Sequence, residues 1–226
     1  MLRYNDKHLK IFKANLTDDQ DWGGHDVRKW WDYVTKKQSC NLPSQRLTRQ
    51  ALKEICHKDS NFTDEECLGA VMAWGGQNRK HGQTLFSRKD EILPIISDMR
   101  TSSINHLTAY KTFDDIWQQD KKLGMGAAYF TKLIFFCEPS HRGFIMDQWT
   151  SKSTNLLCGE QVIHLQAGHV SKKNNSETFD RFCNVVEDLA RRLNTSAEHV
   201  EMSMFSKGGR NKAPWRQYVV DKWGNV

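Results

Sequence analysis

Proline is scarce, four in 226 residues, so helices here face few forced interruptions. No apolar run approaches the roughly 20 residues that a membrane-spanning helix requires, so no membrane partner is expected. The first residues, MLRYNDKHLK, are polar and unlike a secretory leader. Of the six cysteines, none forms a C-x-x-C pair and none stands beside a histidine at ligand spacing, which argues against zinc and iron–sulfur sites. Cys40, Cys56, Cys67, Cys137, Cys158 and Cys183 instead read as free thiols, several within apolar helical patterns. The expected compartment is a reducing cytoplasm, at the nucleoid if the source is prokaryotic. Strand-like alternation, internal repeats and low-complexity linkers are also missing. No phosphate or metal motif of a nucleotide-acting enzyme is present.

The chain is long enough for one large domain or two small lobes with a real core. A net charge of +6 and a pI near 9.0 point to an anionic partner, nucleic acid being the commonest, or to solubility alone. Eight tryptophans supply core anchors and faces on which a base can stack.

Helical periodicity dominates. Residues 25–37 carry Val27, Trp30, Trp31 and Val34 on one face, and residues 48–57 carry Leu52, Ile55 and Cys56. Thr63 and Glu66 form a capping-box signature ahead of Leu68, Val71, Met72 and Trp74. A short helix over 89–99 is expected to break near Pro94. Another runs from Thr112 to Lys122, is broken at Gly124 and Gly126, and is followed by one over 127–137. Residues 177–193 and a segment opening at Ser196 complete the set. His164 and His169 read as loop residues. The basic segment 207–216, with Trp215, reads either as a solvated, partly mobile terminus or as an added DNA contact. The expected fold is mostly α.

The stretch LGMGAAYFTKLIFFCEPSHRGFIMDQW, residues 123–149, concentrates the chemistry. Glycines around Met125 permit positive φ and close backbone approach. Amides at the start of the following helix then point outward, with the helix dipole behind them, as phosphate binding requires. An ordinary hairpin ended by glycine is the other reading. Lys132 lies within an apolar helix and either snorkels to the surface or enters a dry cleft, where its amine becomes nucleophilic. Asp147 follows Phe-Ile-Met and is a helix N-cap, a catalytic carboxylate, or both.

This order of turn, apolar helix, loop and aspartate resembles the helix-hairpin-helix DNA glycosylase superfamily, and most closely its small prokaryotic 8-oxoguanine glycosylase-like members. LGMG and IMDQW stand where that family reads approximately L-P-G-V-G and V-D-x-H. The likeness spans about residues 60–210. It implies one glycosylase domain of two α-lobes, with the hairpin (113–137) beside a DNA-binding cleft and C-terminal helices (177–206) rejoining the N-terminal lobe. It implies a monomer acting on duplex DNA with a flipped base. The backbone of Gly124, Met125 and Gly126 would hold a phosphate, with a monovalent cation at the turn and no other cofactor. Asp147 would stabilise charge at C1′, and Lys132 would attack there. Gln77, Asn78 and Arg79 would fill the gap in the duplex. His141, Arg142 and Lys152 would contact the DNA backbone. Trp74, Trp149, Glu201 and Phe205 would line the base pocket.

The chain departs from the pattern at residue 128, where lyase-competent relatives carry lysine and this chain carries alanine. It also lacks the hairpin proline. A glutamate at 201 accepts hydrogen bonds only and favours bases presenting amino or imino donors. The implied substrates are 8-oxoguanine or a modified cytosine, including hypermodified viral forms, which would make the enzyme antiviral. A non-catalytic hairpin DNA-binding protein is the rival reading.

Overall fold

The computed structural model describes residues 2–17, 22–36, 39–119, 123–140, 142–208 and 210–223. Among these, twelve helices and one two-stranded ribbon form, so the protein is mostly α as its periodicity implies. No described helix is long and apolar enough to cross a membrane. The chain folds as two compact units, Asp21–Gly143 and the combination of Met1–Gln20 with Phe144–Val226.

The central unit holds α2 (Val27–Thr35), α3 (Arg49–Cys56), α4 (Asp64–Trp74), α5 (Arg79–Phe86), α6 (Lys89–Arg100), α7 (His106–Gln119) and α8 (Ala127–Cys137). Its axis is α4, which packs against α2, α3, α6 and α8 and is buried from Glu66 to Trp74. The capping box at its start is real. Thr63 accepts from Glu66 N, and the Glu66 carboxylate returns to Thr63 N at 2.9 Å. Arg100, buried at the end of α6, ties α3 to α4 by an ion pair with Asp64 and bonds to Cys56 O and His57 O. All six cysteines are free. Burial, and then the neighbouring thiols of Cys137 and Cys67, push the Cys56 thiol up, which leaves it an inert apolar filler.

Two boundaries differ from the periodicity reading. Helix α6 runs unbroken through Pro94. Ile92, Ile95, Ile96 and Met99 are buried against neighbouring helices, and this packing carries the helix past one missing backbone donor. Helix α7 begins at His106, not at Thr112, because Asn105 caps it by accepting from Leu107 N and Thr108 N. Its expected last residues, 120–122, lie outside the described part.

The second unit holds α1 (Asp6–Ala14), α9 (Gln148–Cys158), β1 (Leu165–Gln166), β2 (His169–Val170), α10 (Ser176–Leu193), α11 (Ala197–Phe205) and α12 (Pro214–Lys222). Helix α9 is the hub, in contact with α1, α10, α11, α12 and β2. Strands β1 and β2 pair antiparallel, so His169 belongs to a ribbon, opposite Gln166, and His164 immediately precedes it.

The C-terminal basic segment is solvated at Lys207 and over residues 210–212, but from residue 214 it forms a helix with a buried inner face. Pro214 opens α12, and Trp215 is fully buried. Its ring meets Phe12 at 4.8 Å edge-on and stacks on Tyr218 at 5.6 Å, while Nε1 donates to Ser153 Oγ at 3.0 Å. Trp215→Ala is therefore expected to destabilise the protein by about 3–5 kcal/mol, read from the urea midpoint of unfolding.

Candidate active site

Within the central unit, α7 and α8 pack on each other across the turn at 123–126. Leu123 and Met125 are buried and anchor this turn. Gly124 has φ +76, and a Cβ there would lie 2.4 Å from His81 O, so both conformation and space demand glycine. Gln77 is 0 % exposed, and its side-chain amide donates to Gly124 O at 2.9 Å. Its backbone carbonyl accepts from Trp30 Nε1 at 2.9 Å. Gln77 thus acts as a strut between the segment after α4 and the glycine turn.

Gly126 caps α8 in extended conformation, with no side chain supplying a cap and no acidic residue in the first turn. By contrast, α9, α10 and α11 all begin at side chains that accept from their first turn. The opening amides of α8 keep the positive end of the dipole available to an anion.

Lys132 is 7 % exposed. Its ammonium folds back one turn to donate to Ala128 O at 2.6 Å and lies 5.3 Å from the Tyr129 ring centroid. The amine therefore reaches the level of residue 128 from a position four residues later. Trp74 is buried edge-on to Phe136 at 4.9 Å. Asn78 and Arg79 are exposed at the start of α5, where Asn78 caps the helix and Arg79 lies over the Tyr33 ring. Arg142 is exposed, and His141 lies outside the described residues.

The other sequence-derived candidates stand in the second unit, where Asp147 opens α9. Its carboxylate is 7 % exposed and caps α9. Oδ1 accepts from Trp149 N at 2.7 Å and Thr150 N at 3.1 Å. The Thr150 hydroxyl takes the Asp147 N–H at 2.9 Å and donates to Ile145 O at 2.8 Å. Oδ2 makes no hydrogen bond with a described residue. One carboxylate oxygen is pinned and the other is open, as fixed electrostatic work requires.

Lys152, on the same helix, places Nζ 4.5 Å from the Trp149 centroid and 5.5 Å from that of Trp223. Burial, and then repulsion from Arg216, lower its pKa, with attraction to Asp147 opposing them. Glu201 is 1 % exposed on α11, and Phe205 ends that helix, half-buried. The same neighbourhood includes Arg216, which sequence reading did not single out. Its available signal was Pro214 after Ala213, a proline suited to the first position of a helix. Among the described residues no group of three or more metal-ligating side chains forms.

A basic, mostly helical chain with a glycine-cornered turn between two helices and a buried carboxylate at a later helix start is consistent with an all-α glycosylase fold. Comparison with protein families narrows the class. The chain belongs to the family described as "Putative 8-oxoguanine DNA glycosylase OGG-like protein", which matches it over residues 18–205. No curated protein and no solved structure matches it. Membership of a DNA glycosylase family makes DNA the implied substrate.

Proposed function

We propose that the protein excises a modified base from duplex DNA by flipping the nucleotide out of the stack and breaking its N-glycosidic bond. The carrying observation is Asp147, nearly buried, with Oδ1 fixed by two backbone amides and Oδ2 open. A carboxylate so held stabilises the positive charge that gathers at C1′ as the base departs, and does so without reorganising. The departing base takes the bonding electron pair, and water closes on C1′.

The remaining roles follow from placement. The uncapped start of α8 receives a DNA phosphate. Gln77 holds that turn from within, which leaves Asn78 and Arg79 as the side chains able to enter the duplex gap. Arg142 and Lys152 add backbone contacts. Trp149, Phe205 and Glu201 border the base, and Trp74 supports the interior. Gly124 O, one carbonyl that a monovalent cation at the turn would use, already accepts the Gln77 amide, and no step depends on an ion. The favoured substrates are 8-oxoguanine-like bases, with modified cytosines, including viral ones, as the second class.

Lys132 is the proposed amine. To attack, it must release Ala128 O and lose a proton, which makes strand cleavage slower than base release. The test is a panel of duplexes bearing single modified bases, treated with protein and then alkali, alongside borohydride trapping. Wild type is expected to produce alkali-labile breaks and a trapped adduct. Lys132→Ala is expected to keep the breaks and lose the adduct. Tight DNA binding with no breaks on any substrate would leave a non-catalytic binding protein.

A further inference from the structure

We propose that Arg216 grips the flipped base, donating from Nη1 to an acceptor on its edge and drawing off the negative charge that collects there as the glycosidic bond breaks. This role rests on the glycosylase reading above and extends it to a residue beyond the family match, which ends at residue 205.

Arg216 lies on α12 and is 5 % exposed. Its guanidinium is fixed on one side only. Nε donates to Phe205 O at 3.0 Å, and Nη2 donates to Phe205 O and to Ser206 O. These carbonyls end α11, where the helix dipole favours a cation. Two of the expected base-pocket aromatics pack on the same group, Trp149 at 3.9 Å and Phe205 at 5.0 Å from Cζ to ring centroid. Nη1 has no hydrogen bond or ion pair with a described residue. A guanidinium held on one side by carbonyls and rings keeps its remaining N–H donors aimed at whatever acceptor enters beside it.

Two backbone features frame that donor. A Cβ at Gly208 would lie 2.8 Å from Nη1, so any side chain at 208 would occupy the space beside it. Ser206 takes φ +51 and ψ 158, a conformation usually left to glycine, at the point where Arg216 attaches. Both keep the end of α11 shaped around the guanidinium.

The electrostatics suit a bond that breaks with charge separation. The electron pair of the C1′–N bond leaves with the base, so the sugar becomes positive and the base negative. The water that closes on C1′ delivers its proton to the base. Asp147 faces the first charge, and Arg216 the second. Burial lowers the Arg216 pKa to about 10 against the pull of Asp147, and the group remains a cation at neutral pH. The ligand class is a base with a carbonyl acceptor on its edge, such as the O6 of a guanine-type base. Glu201 would take its amino or imino donors.

The test uses the full chain and two duplexes, one with 8-oxoguanine opposite cytosine and one with a tetrahydrofuran abasic site. If wild type excises another base of the panel, that base replaces 8-oxoguanine. Single-turnover excision should fall by about 10²-fold or more in Arg216→Met and by less in Arg216→Lys, which keeps charge but not the planar fork. Gly208→Ala should slow excision with an unchanged melting temperature. All three should bind the abasic duplex as wild type does, since no base is present to grip. Undiminished excision by folded Arg216→Met would overturn the proposal. So would a parallel loss of abasic-duplex affinity, which marks a phosphate contact instead. Should Arg216→Met fail to fold, unchanged excision by Gly208→Ala would overturn it. Wild type that excises nothing would defeat the glycosylase reading itself, a different result from an active wild type indifferent to Arg216.

Discussion

Asp147→Asn is expected to fold and to bind DNA, yet to excise its base about 10²–10³-fold more slowly, the scale seen when one preorganised electrostatic contact is removed. The substitution separates two functions of one side chain. Asparagine is as good an N-cap as aspartate, so the bonds from Trp149 N and Thr150 N to the pinned oxygen survive. Only the charge and the open Oδ2 acceptor are lost. Asp147→Ala removes the cap as well and should cost a further about 0.5–2 kcal/mol of stability. Single-turnover excision and urea unfolding of both variants check this. A loss smaller than about tenfold in the asparagine variant, about 1.4 kcal/mol of barrier, would reduce Asp147 to a structural cap.

Gly124→Val is expected to have the largest effect on folding among changes near the turn. The left-handed conformation at φ +76 costs a β-branched residue about 1–3 kcal/mol. The added Cβ would also meet His81 O at 2.4 Å, which no rotamer relieves, and such overpacking costs about 1–3 kcal/mol more. A domain stable by only about 5–15 kcal/mol loses much of its margin to that sum. Gly126→Ala is the contrast. Its φ of −132 is open to any residue, and its Cβ would press on the Trp117 ring at 3.1 Å, where a small ring shift gives room. Urea midpoints should therefore rank wild type above Gly126→Ala, and Gly126→Ala well above Gly124→Val. Equal midpoints for the two variants would show that the turn tolerates a side chain at 124.

The features legible in advance were those set by residues a few positions apart. Thr63 and Glu66 announce a helix start because both halves of the box lie within one turn. Gly124 is legible because a positive φ is a property of the residue itself, and Asp147 because a cap bonds amides two and three residues on. Even the bare start of α8 could be read, since Gly126 has no side chain to cap it. Pro94 shows the limit of local reading, for the helix it should break is held by its buried face.

What only the tertiary structure decided depends on partners far along the chain. Gln77 looked like a residue for the DNA, and it is a buried strut because Gly124 O and Trp30 Nε1 come to it from two other segments. Lys132 could have snorkelled to the surface or entered a dry cleft, and the fold turns it back to Ala128 O. Arg216 stood in a segment that reads as a charged tail. It became the guanidinium between Trp149 and Phe205 because Trp215 beside it is buried against Phe12, near the other end of the sequence. Sequence determined where helices begin, where the chain must turn and which carboxylate stands at a helix start, since local hydrogen bonding and sterics settle those. Which charged groups are buried, and against what, was decided by packing, because desolvating a charge is affordable only where distant carbonyls, rings and carboxylates converge.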